Sequence, residues 1–209
     1  MRDNDGFGPD DIVASGIASR ETVDRINQIL GVLDVWRQKL NLIGPAEFDS
    51  IWRRHVFDSL QIVPLLTHHK TVVDLGAGSG FPGLVVAAAF VGSDRAVEMI
   101  ETVGKKCAFL REVIQSCGLP ATVAQCRIEN AKVRSNDAVT ARALAPLNRL
   151  LSHAEPWMSK GATGYFFKGQ RWEEELTSAR ECWTFRHEAV ANNSGGSGVI
   201  LKVWEAQRV

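Results

Sequence analysis

Residues 71–83 join a predicted strand to a predicted helix through a glycine-dense turn. The β-branched and apolar residues Thr71–Leu75 are typical of a buried strand in a parallel sheet. Gly76, Gly78 and Gly80 follow at alternate positions, where the missing Cβ atoms permit a sharp turn and a close approach by a ligand. Pro82 then suits the first position of a helix. The unit indicates either a ligand-binding turn or a tight structural turn.

Two classes of cofactor-binding proteins use such a turn. Dinucleotide-binding enzymes carry G-x-G-x-x-G directly after the strand, and residues 78–83 match that pattern two positions too late. The pattern that starts at the strand end is Asp74-x-Gly76-x-Gly78-x-Gly80. It resembles motif I of the class I S-adenosylmethionine-dependent methyltransferases. This resemblance implies S-adenosylmethionine as cofactor, and a carboxylate such as Asp74 would suit its cationic end.

A second carboxylate lies at the end of the next predicted strand, which covers residues 96–101. Glu101 follows the first glycine of the turn by about 25 residues, near the spacing at which a carboxylate binds a ribose diol. Both nicotinamide and S-adenosyl cofactors contain this ribose, so Glu101 predicts an adenosine cofactor without choosing between them. The alternative is an ordinary solvated charge at a strand end.

Composition narrows the kind of protein. With 209 residues, of which 45% are hydrophobic and 23% charged, the chain suits one globular domain. No apolar run approaches the roughly 18 residues of a membrane span. The four cysteines lack C-x-x-C spacing, so we expect no metal site and a reducing, cytoplasmic location. The formal net charge is zero, and a nucleic-acid partner would therefore need a local basic patch. We expect a monomer without membrane attachment.

Apolar spacing along the chain predicts its organisation. Residues 1–20 are expected to be flexible, and residues 21–209 to form one domain whose part over 21–66 is an N-terminal helical extension. Beyond residue 70, predicted strands and helices alternate. Two last strands, at 184–189 and 199–204, flank a flexible loop at 192–198 and predict a hairpin. The predicted fold class is α/β: a doubly wound, mostly parallel seven-stranded sheet with a C-terminal antiparallel hairpin.

Six short motifs carry a closer resemblance. They are NLI at 41–43, RHVFDSL at 54–60, GFPG at 80–83, RIE at 127–129, ARA at 141–143 and FKG at 167–169. In this order they are similar to the bacterial 16S ribosomal RNA guanine-N7 methyltransferases (methyltransferase G, also called glucose-inhibited division protein B). The likeness extends from about residue 32 to the C-terminus.

The resemblance implies a Rossmann-like class I methyltransferase that transfers a methyl group from S-adenosylmethionine to N7 of one guanine in 16S ribosomal RNA. The partner would be this RNA or the small ribosomal subunit. Guanine N7 has a free lone pair at neutral pH, so positioning and water exclusion would suffice for catalysis. The family's cofactor contacts match Gly76, Phe81, Ile128, Glu129 and Arg142, to which the motif I analysis adds Asp74, Gly78, Gly80 and Glu101.

Three residues are predicted to act at the reacting centre: Arg142, Lys168 and His55. Arg142 follows the fourth strand, where it would hold a cofactor carboxylate or an RNA phosphate, or form a surface ion pair. Lys168 ends the fifth strand and would bind a phosphate or guanine O6, or be a solvated lysine. His55 would lie at the rim of the active site, or pair with Asp58 on its own helix.

Two rival functions stay open on sequence grounds. A small-molecule methyltransferase would use the same cofactor half of the protein. A nicotinamide-dependent oxidoreductase would use a similar turn, and a measurement of cofactor binding would distinguish it.

Overall fold

The computed structural model describes residues 2–193, 195 and 197–209 of the chain. Its strands are β1 (Thr71–Leu75), β2 (Ala96–Glu101), β3 (Ala121–Gln125), β4 (Ala138–Arg142), β5 (Thr163–Lys168), β6 (Trp183–Ala191) and β7 (Val199–Arg208). The α-helices are α1 (Pro9–Ala14), α2 (Arg20–Arg37), α3 (Pro45–Phe48), α4 (Asp58–Leu60), α5 (Gly83–Phe90), α6 (Gly104–Ser116), α7 (Leu147–Met158) and α8 (Trp172–Arg180). A π-helix covers Trp52–Phe57, and short 3-10 helices cover Val63–Leu66 and Ile128–Asn130.

Within the described residues the strands form one seven-stranded sheet with the order β3-β2-β1-β4-β5-β7-β6. Strands β1 to β5 are parallel, and Val72 of β1 pairs with Val97 of β2 on one side and Ala138 of β4 on the other. The chain therefore reverses its direction of winding at β1. In such sheets a crevice opens at the carboxyl ends of the strands that flank the reversal, here β1 and β4.

Alternation along the strands divides the apolar side chains between two cores. Val72 and Met99 pack on the face covered by α2, α5 and α6, whereas Val73 and Ile100 pack on the face covered by α7 and α8. Helices on both faces of a mostly parallel sheet confirm the predicted doubly wound α/β class. No helix in the part of the chain that the structure describes is long and apolar enough to cross a membrane.

The C-terminal hairpin is also confirmed. Strand β7 runs antiparallel between β5 and β6, and both hairpin strands are longer than their alternating pattern predicted. A register irregularity between Thr184 and Arg186 interrupts the pairing of β6 with β7. The predicted flexible loop at 192–198 includes Ser194 and Gly196, which lie outside the described residues.

The region before β1 is helical but irregular. The sequence predicts it only as part of a helical extension, and within residues 46–66 α3, the π-helix, α4 and a 3-10 turn follow one another. Pro64 prevents a regular continuation, because proline has no N–H and its ring clashes with the preceding turn. Residues 2–20 contain α1 with its buried Ile12, a helix that the sequence analysis did not predict. The flexibility of residues 1–20 and the division of the chain at residue 20 stay predictions.

Candidate active site

The three glycines after β1 adopt left-handed backbone conformations, with φ values of +67° at Gly76, +56° at Gly78 and +90° at Gly80. A Cβ atom at Gly76 would lie 2.7 Å from Leu144, and one at Gly80 would overlap Leu84. At Gly78 the nearest atom to a Cβ would be the Gly76 carbonyl oxygen, 3.7 Å away. A side chain at Gly76 or Gly80 would therefore displace a leucine side chain, whereas the turn is open beside Gly78.

Asp74 supports this turn from beneath. It is 1% exposed, and its carboxylate accepts hydrogen bonds from the Thr140 hydroxyl at 2.8 Å and from the Gly83 N–H at 3.1 Å. Burial raises the pKa of Asp74 to about 7. A Cβ at Gly83 would lie 2.7 Å from the carboxylate, so this glycine permits the contact. The sequence predicts a direct contact between Asp74 and a cofactor. This geometry does not support that prediction.

Glu101 fixes the other side of the turn. One carboxylate oxygen accepts the Gly78 N–H at 2.9 Å, and the other accepts the Val103 N–H at 2.8 Å. A carboxylate has about four lone-pair positions, so the oxygen that accepts from Gly78 can accept a further hydrogen bond. The other oxygen also accepts the Thr102 hydroxyl at 3.5 Å, a long contact that a ligand hydroxyl could replace. The side chain is therefore held in place and still able to receive the two hydroxyl groups of a ribose.

Four of the predicted cofactor residues line one cavity of about 290 Å³: Gly76, Glu101, Ile128 and Glu129. Ile128 and Glu129 belong to the 3-10 helix that follows β3. The Glu129 carboxylate lies 3.3 Å from Nδ1 of His153 on α7, a cavity residue that the sequence analysis did not select. The cavity thus joins the carboxyl ends of β1, β2 and β3.

Arg142 and His55 form a pair across the crevice. Nη2 of Arg142 donates to the Arg54 carbonyl oxygen at 3.0 Å and lies 2.9 Å from Nδ1 of His55. Because a guanidinium only donates, Nδ1 must be the acceptor and the proton of the neutral ring is on Nε2. Burial, followed by the charges of Arg142 and Arg54, lowers the pKa of His55 to about 3. The imidazole is therefore neutral at pH 7.

The second terminal nitrogen of Arg142 lacks a partner. Nη1 is buried, and no hydrogen-bond acceptor for it is present among the described residues. A buried guanidinium nitrogen without an acceptor is costly, which makes it a candidate ligand contact. Phe81, predicted to touch the cofactor, is 7% exposed and its ring centroid lies 5.2 Å from that of His55. It therefore packs directly on the pair.

Lys168 is buried and paired. Its ammonium group donates to the Ala145 carbonyl at 2.8 Å and to the Glu175 carboxylate at 2.7 Å. The same Glu175 oxygen accepts the N–H of Leu147 at the start of α7. The solvated-lysine alternative is therefore wrong, because only 5% of this side chain is exposed. Lys168 braces the loop between β4 and α7, and a direct contact with substrate stays a prediction.

A larger cavity of about 730 Å³ is lined by cations on three elements, among them Arg142 of β4, and by the carboxylates Asp5 and Asp58. Arg53 and Arg54 of the π-helix lie on one side, and Lys168 of β5 on the other. A third cavity of about 250 Å³ shares Ala143 with this one and Leu144 with the cavity at Glu101. The crevice is thus one row of spaces along the carboxyl edge of the sheet.

Ala143, at the junction of two of these spaces, is strained. Its φ is +53°, a left-handed conformation that costs a residue other than glycine about 1–3 kcal/mol. Such strain is concentrated at functional sites, where the surrounding structure must compensate for it. The conformation turns the chain directly after Arg142 and sends Leu144 back against Gly76.

Comparison with solved structures supports the fold. An O-methyltransferase from Bacillus cereus, solved in complex with SAH, superposes with a TM-score of 0.58 at 14% identity, covering 87% of this chain and 91% of that one. An SAH-bound methyltransferase from Podospora anserina superposes with a TM-score of 0.60 at 9% identity, covering 84% of this chain and 86% of that one. At these identities the likeness shows the fold alone, which is that of class I methyltransferases.

Comparison with known sequences shows the family. The family model described as rRNA small subunit methyltransferase G matches residues 22–199. The ribosomal RNA small subunit methyltransferase G of Hyphomonas neptunium is 54% identical, covering 94% of each chain. The protein of the same name from Gluconobacter oxydans is 41% identical, covering 91% of this chain and 97% of the relative. The resemblance seen in the motifs is therefore confirmed, and the chain belongs to the rRNA small subunit methyltransferase G family.

Proposed function

We propose that this protein transfers the methyl group of S-adenosylmethionine to N7 of a guanine in 16S ribosomal RNA. The observation that carries the proposal is the row of three neighbouring cavities, with shared lining residues, from Glu101 to Arg54 and Arg142, in a chain of this family. We also infer that it acts as a monomer in the cytoplasm, where ribosomal subunits are assembled. A single chain supplies both ends of the crevice, so no second copy is needed to complete the site.

The cavity of about 290 Å³ at Glu101 suits S-adenosylmethionine. The free lone pairs of Glu101 suit the ribose hydroxyls, and backbone groups at Ile128 and Glu129 suit the adenine edge. The open space beside Gly78 admits the amino-acid part without a clash. When bound, S-adenosylmethionine supplies an electrophilic methyl group, and the protein's part is to hold it in line with the nucleophile.

The target base requires positioning more than activation. Guanine N7 carries a lone pair, so no side chain has to remove a proton, and orientation can supply several kcal/mol of the barrier reduction. The neutral His55 could not serve as an acid at pH 7 but fixes Arg142 through Nδ1. Nη1 of Arg142 then presents a positive donor toward an acceptor such as guanine O6, a phosphate or the cofactor carboxylate.

Glu101→Gln should weaken S-adenosylmethionine binding about 10- to 100-fold. The amide nitrogen of a glutamine would face the N–H of either Gly78 or Val103, and one of these donors would lose its acceptor. Isothermal titration calorimetry on both proteins measures the change. Glu98→Gln is the matched control. Glu98 lies on the same strand but lines a different cavity, near the amino ends of the strands, so this variant should bind S-adenosylmethionine normally. Equal affinities for wild type and Glu101→Gln would remove Glu101 from the site.

RNA and small-molecule substrates are distinguished by salt dependence. Phosphate contacts release counterions, so methylation of small-subunit particles at limiting RNA should fall steeply with salt, whereas cofactor affinity should change little. Arg54→Ala removes an exposed cation of the large cavity and should reduce the slope of log affinity against log salt by about 1. Lys70 is an exposed cation directly before β1, at the amino ends of the strands and so on the side of the sheet opposite the crevice. Lys70→Ala should therefore leave the slope unchanged.

The substrates are small-subunit particles and 16S RNA from cells lacking this protein, and the product is mapped by mass spectrometry. We expect N7-methylguanine at one position. Turnover that does not depend on salt or on Arg54 would favour a small-molecule methyltransferase. Binding of NAD without binding of S-adenosylmethionine would favour an oxidoreductase.

A further inference from the structure

The first residues of the chain pack against the π-helix that carries His55. Asp3 is 6% exposed, and its two carboxylate oxygens accept the N–H groups of Trp52 at 2.9 Å and Arg53 at 2.8 Å. These donors are the first two of the π-helix, and the preceding Ile51 has no side-chain acceptor to offer them. Asp3 therefore caps this helix from almost fifty residues away in sequence.

Residues 2–8, which we call the N-terminal strap, are held in place by further contacts. The strap closes on itself through Asp3 N–H to Phe7 O at 2.7 Å, and Asn4 N–H donates to Asp49 O at 3.0 Å. Asp5 pairs with Arg53 at 2.7 Å, and the Arg53 guanidinium lies 4.2 Å from the centre of the Phe7 ring. Asp5 and Arg53 both line the large cavity. The strap therefore forms part of the wall of the crevice.

The contacts continue from the strap to Arg142. The π-helix presents two acceptors to Nη2 of Arg142, the Arg54 carbonyl and Nδ1 of His55, directly after the residues that Asp3 caps. A shift of this helix would move both acceptors of Nη2 at once. The family match begins at residue 22, so the strap lies outside it.

We propose that the N-terminal strap is a working part of the active site and that Asp3 is a positioning residue, holding the π-helix so that His55 and Arg54 fix Arg142. The inference rests on the proposed function for its kinetic test. The amino-acid pattern within residues 2–8 does not by itself indicate this role. Asp3 touches neither substrate nor cofactor in this scheme and acts through Arg142.

Asp3→Asn tests the proposal with little change in shape. An amide retains one acceptor, so one of the two helix N–H groups faces an NH2 group instead of an oxygen. We expect kcat for methylation of small-subunit particles to fall about tenfold, because small displacements of a positioning group are costly. The effect on the KM for S-adenosylmethionine should be smaller than the effect on kcat, since the contacts expected from Glu101 and the glycine turn are untouched. Asp24→Asn, an exposed carboxylate on α2 outside the strap, is the matched control and should behave as wild type.

A double-mutant cycle separates positioning from general destabilisation. If Asp3 acts through Arg142, Asp3→Asn should change kcat by less than twofold in an Arg142→Ala background. A merely structural defect would lower kcat by the same factor in both backgrounds. Wild-type kcat in Asp3→Asn, or a full tenfold loss in the Arg142→Ala background, would overturn the proposal.

A spectroscopic measurement tests the strap without RNA. In the wild type, 15N NMR should show His55 as the single tautomer with its proton on Nε2, because Arg142 donates to Nδ1. Asp3→Ala, compared at a temperature where the protein is folded, should give a mixture of tautomers. An unchanged His55 spectrum would contradict the proposal. This result is independent of the substrate, so failure of the strap proposal and failure of the RNA-methylation proposal can be told apart.

Discussion

Gly78→Val is expected to lower S-adenosylmethionine affinity at least about 100-fold, which corresponds to about 2.7 kcal/mol. A branched side chain at a φ of +56° is strained, and its Cβ would enter the open space beside the turn. The Gly78 N–H also donates to Glu101, so a shift of the backbone would disturb the ribose-binding carboxylate. Calorimetry with S-adenosylmethionine measures the loss directly, and circular dichroism checks that the variant is folded.

Gly118→Val is the matched control for this experiment. Gly118 has a φ of +59°, and a Cβ added there would meet no atom within 4 Å, but it lies in the turn after α6, away from the crevice. Both variants carry the same backbone strain, and Gly78→Val alone should lose the cofactor. If Gly78→Val is folded and binds normally, the turn after β1 is not the cofactor site.

Arg142→Ala is expected to reduce kcat/KM for RNA methylation about 1,000-fold, or about 4.1 kcal/mol. The change removes the buried donor Nη1 and also leaves the Arg54 carbonyl and Nδ1 of His55 without their donor. Cofactor affinity should fall as well if Nη1 holds the cofactor carboxylate, as the family resemblance implies. Single-turnover rates and calorimetry on the same preparations separate the two effects.

Arg142→Lys tests the geometry of the guanidinium. A lysine retains the positive charge but has a single nitrogen. It cannot donate to the π-helix and also present a second nitrogen in a fixed plane, so most of the reduction in kcat/KM should persist. Arg186→Ala, an exposed arginine on β6, is the control for loss of a positive charge. Near-normal methylation by Arg142→Ala would exclude Arg142 from the reacting centre and leave its buried nitrogen without a functional explanation.

Local sequence determined most of the fold. The bounds of β1 and β2 were predicted correctly, because buried parallel strands are short apolar runs bounded by turn residues. The glycine turn and Glu101 could also be located, since spacing along one βαβ unit fixes which groups meet at the edge of the sheet. These features depend on interactions between residues close in the chain.

The break in residues 46–66 was not predictable in the same way. Their apolar spacing suits one continuous helix, and the π-helix at Trp52–Phe57 receives its cap from Asp3, which no pattern near residue 52 indicates. Helix type and helix ends depend on where orphan N–H groups find acceptors. In this case the acceptor comes from a distant part of the chain.

The roles of the ionisable side chains were decided by the tertiary structure. From sequence, Asp74 was expected to face the cofactor, Lys168 to reach the substrate or solvent, and His55 to lie at the rim or pair with Asp58. In the fold, Asp74 supports the turn through Thr140, Lys168 braces a loop through Glu175, and His55 accepts from Arg142. The sequence by itself determined that Asp74 and Lys168 lie at the ends of strands, because buried strands can be recognised as local apolar runs. Only the tertiary structure decided which partner each group has, because burial forces a polar group to pair with whatever donor or acceptor the packing brings within reach.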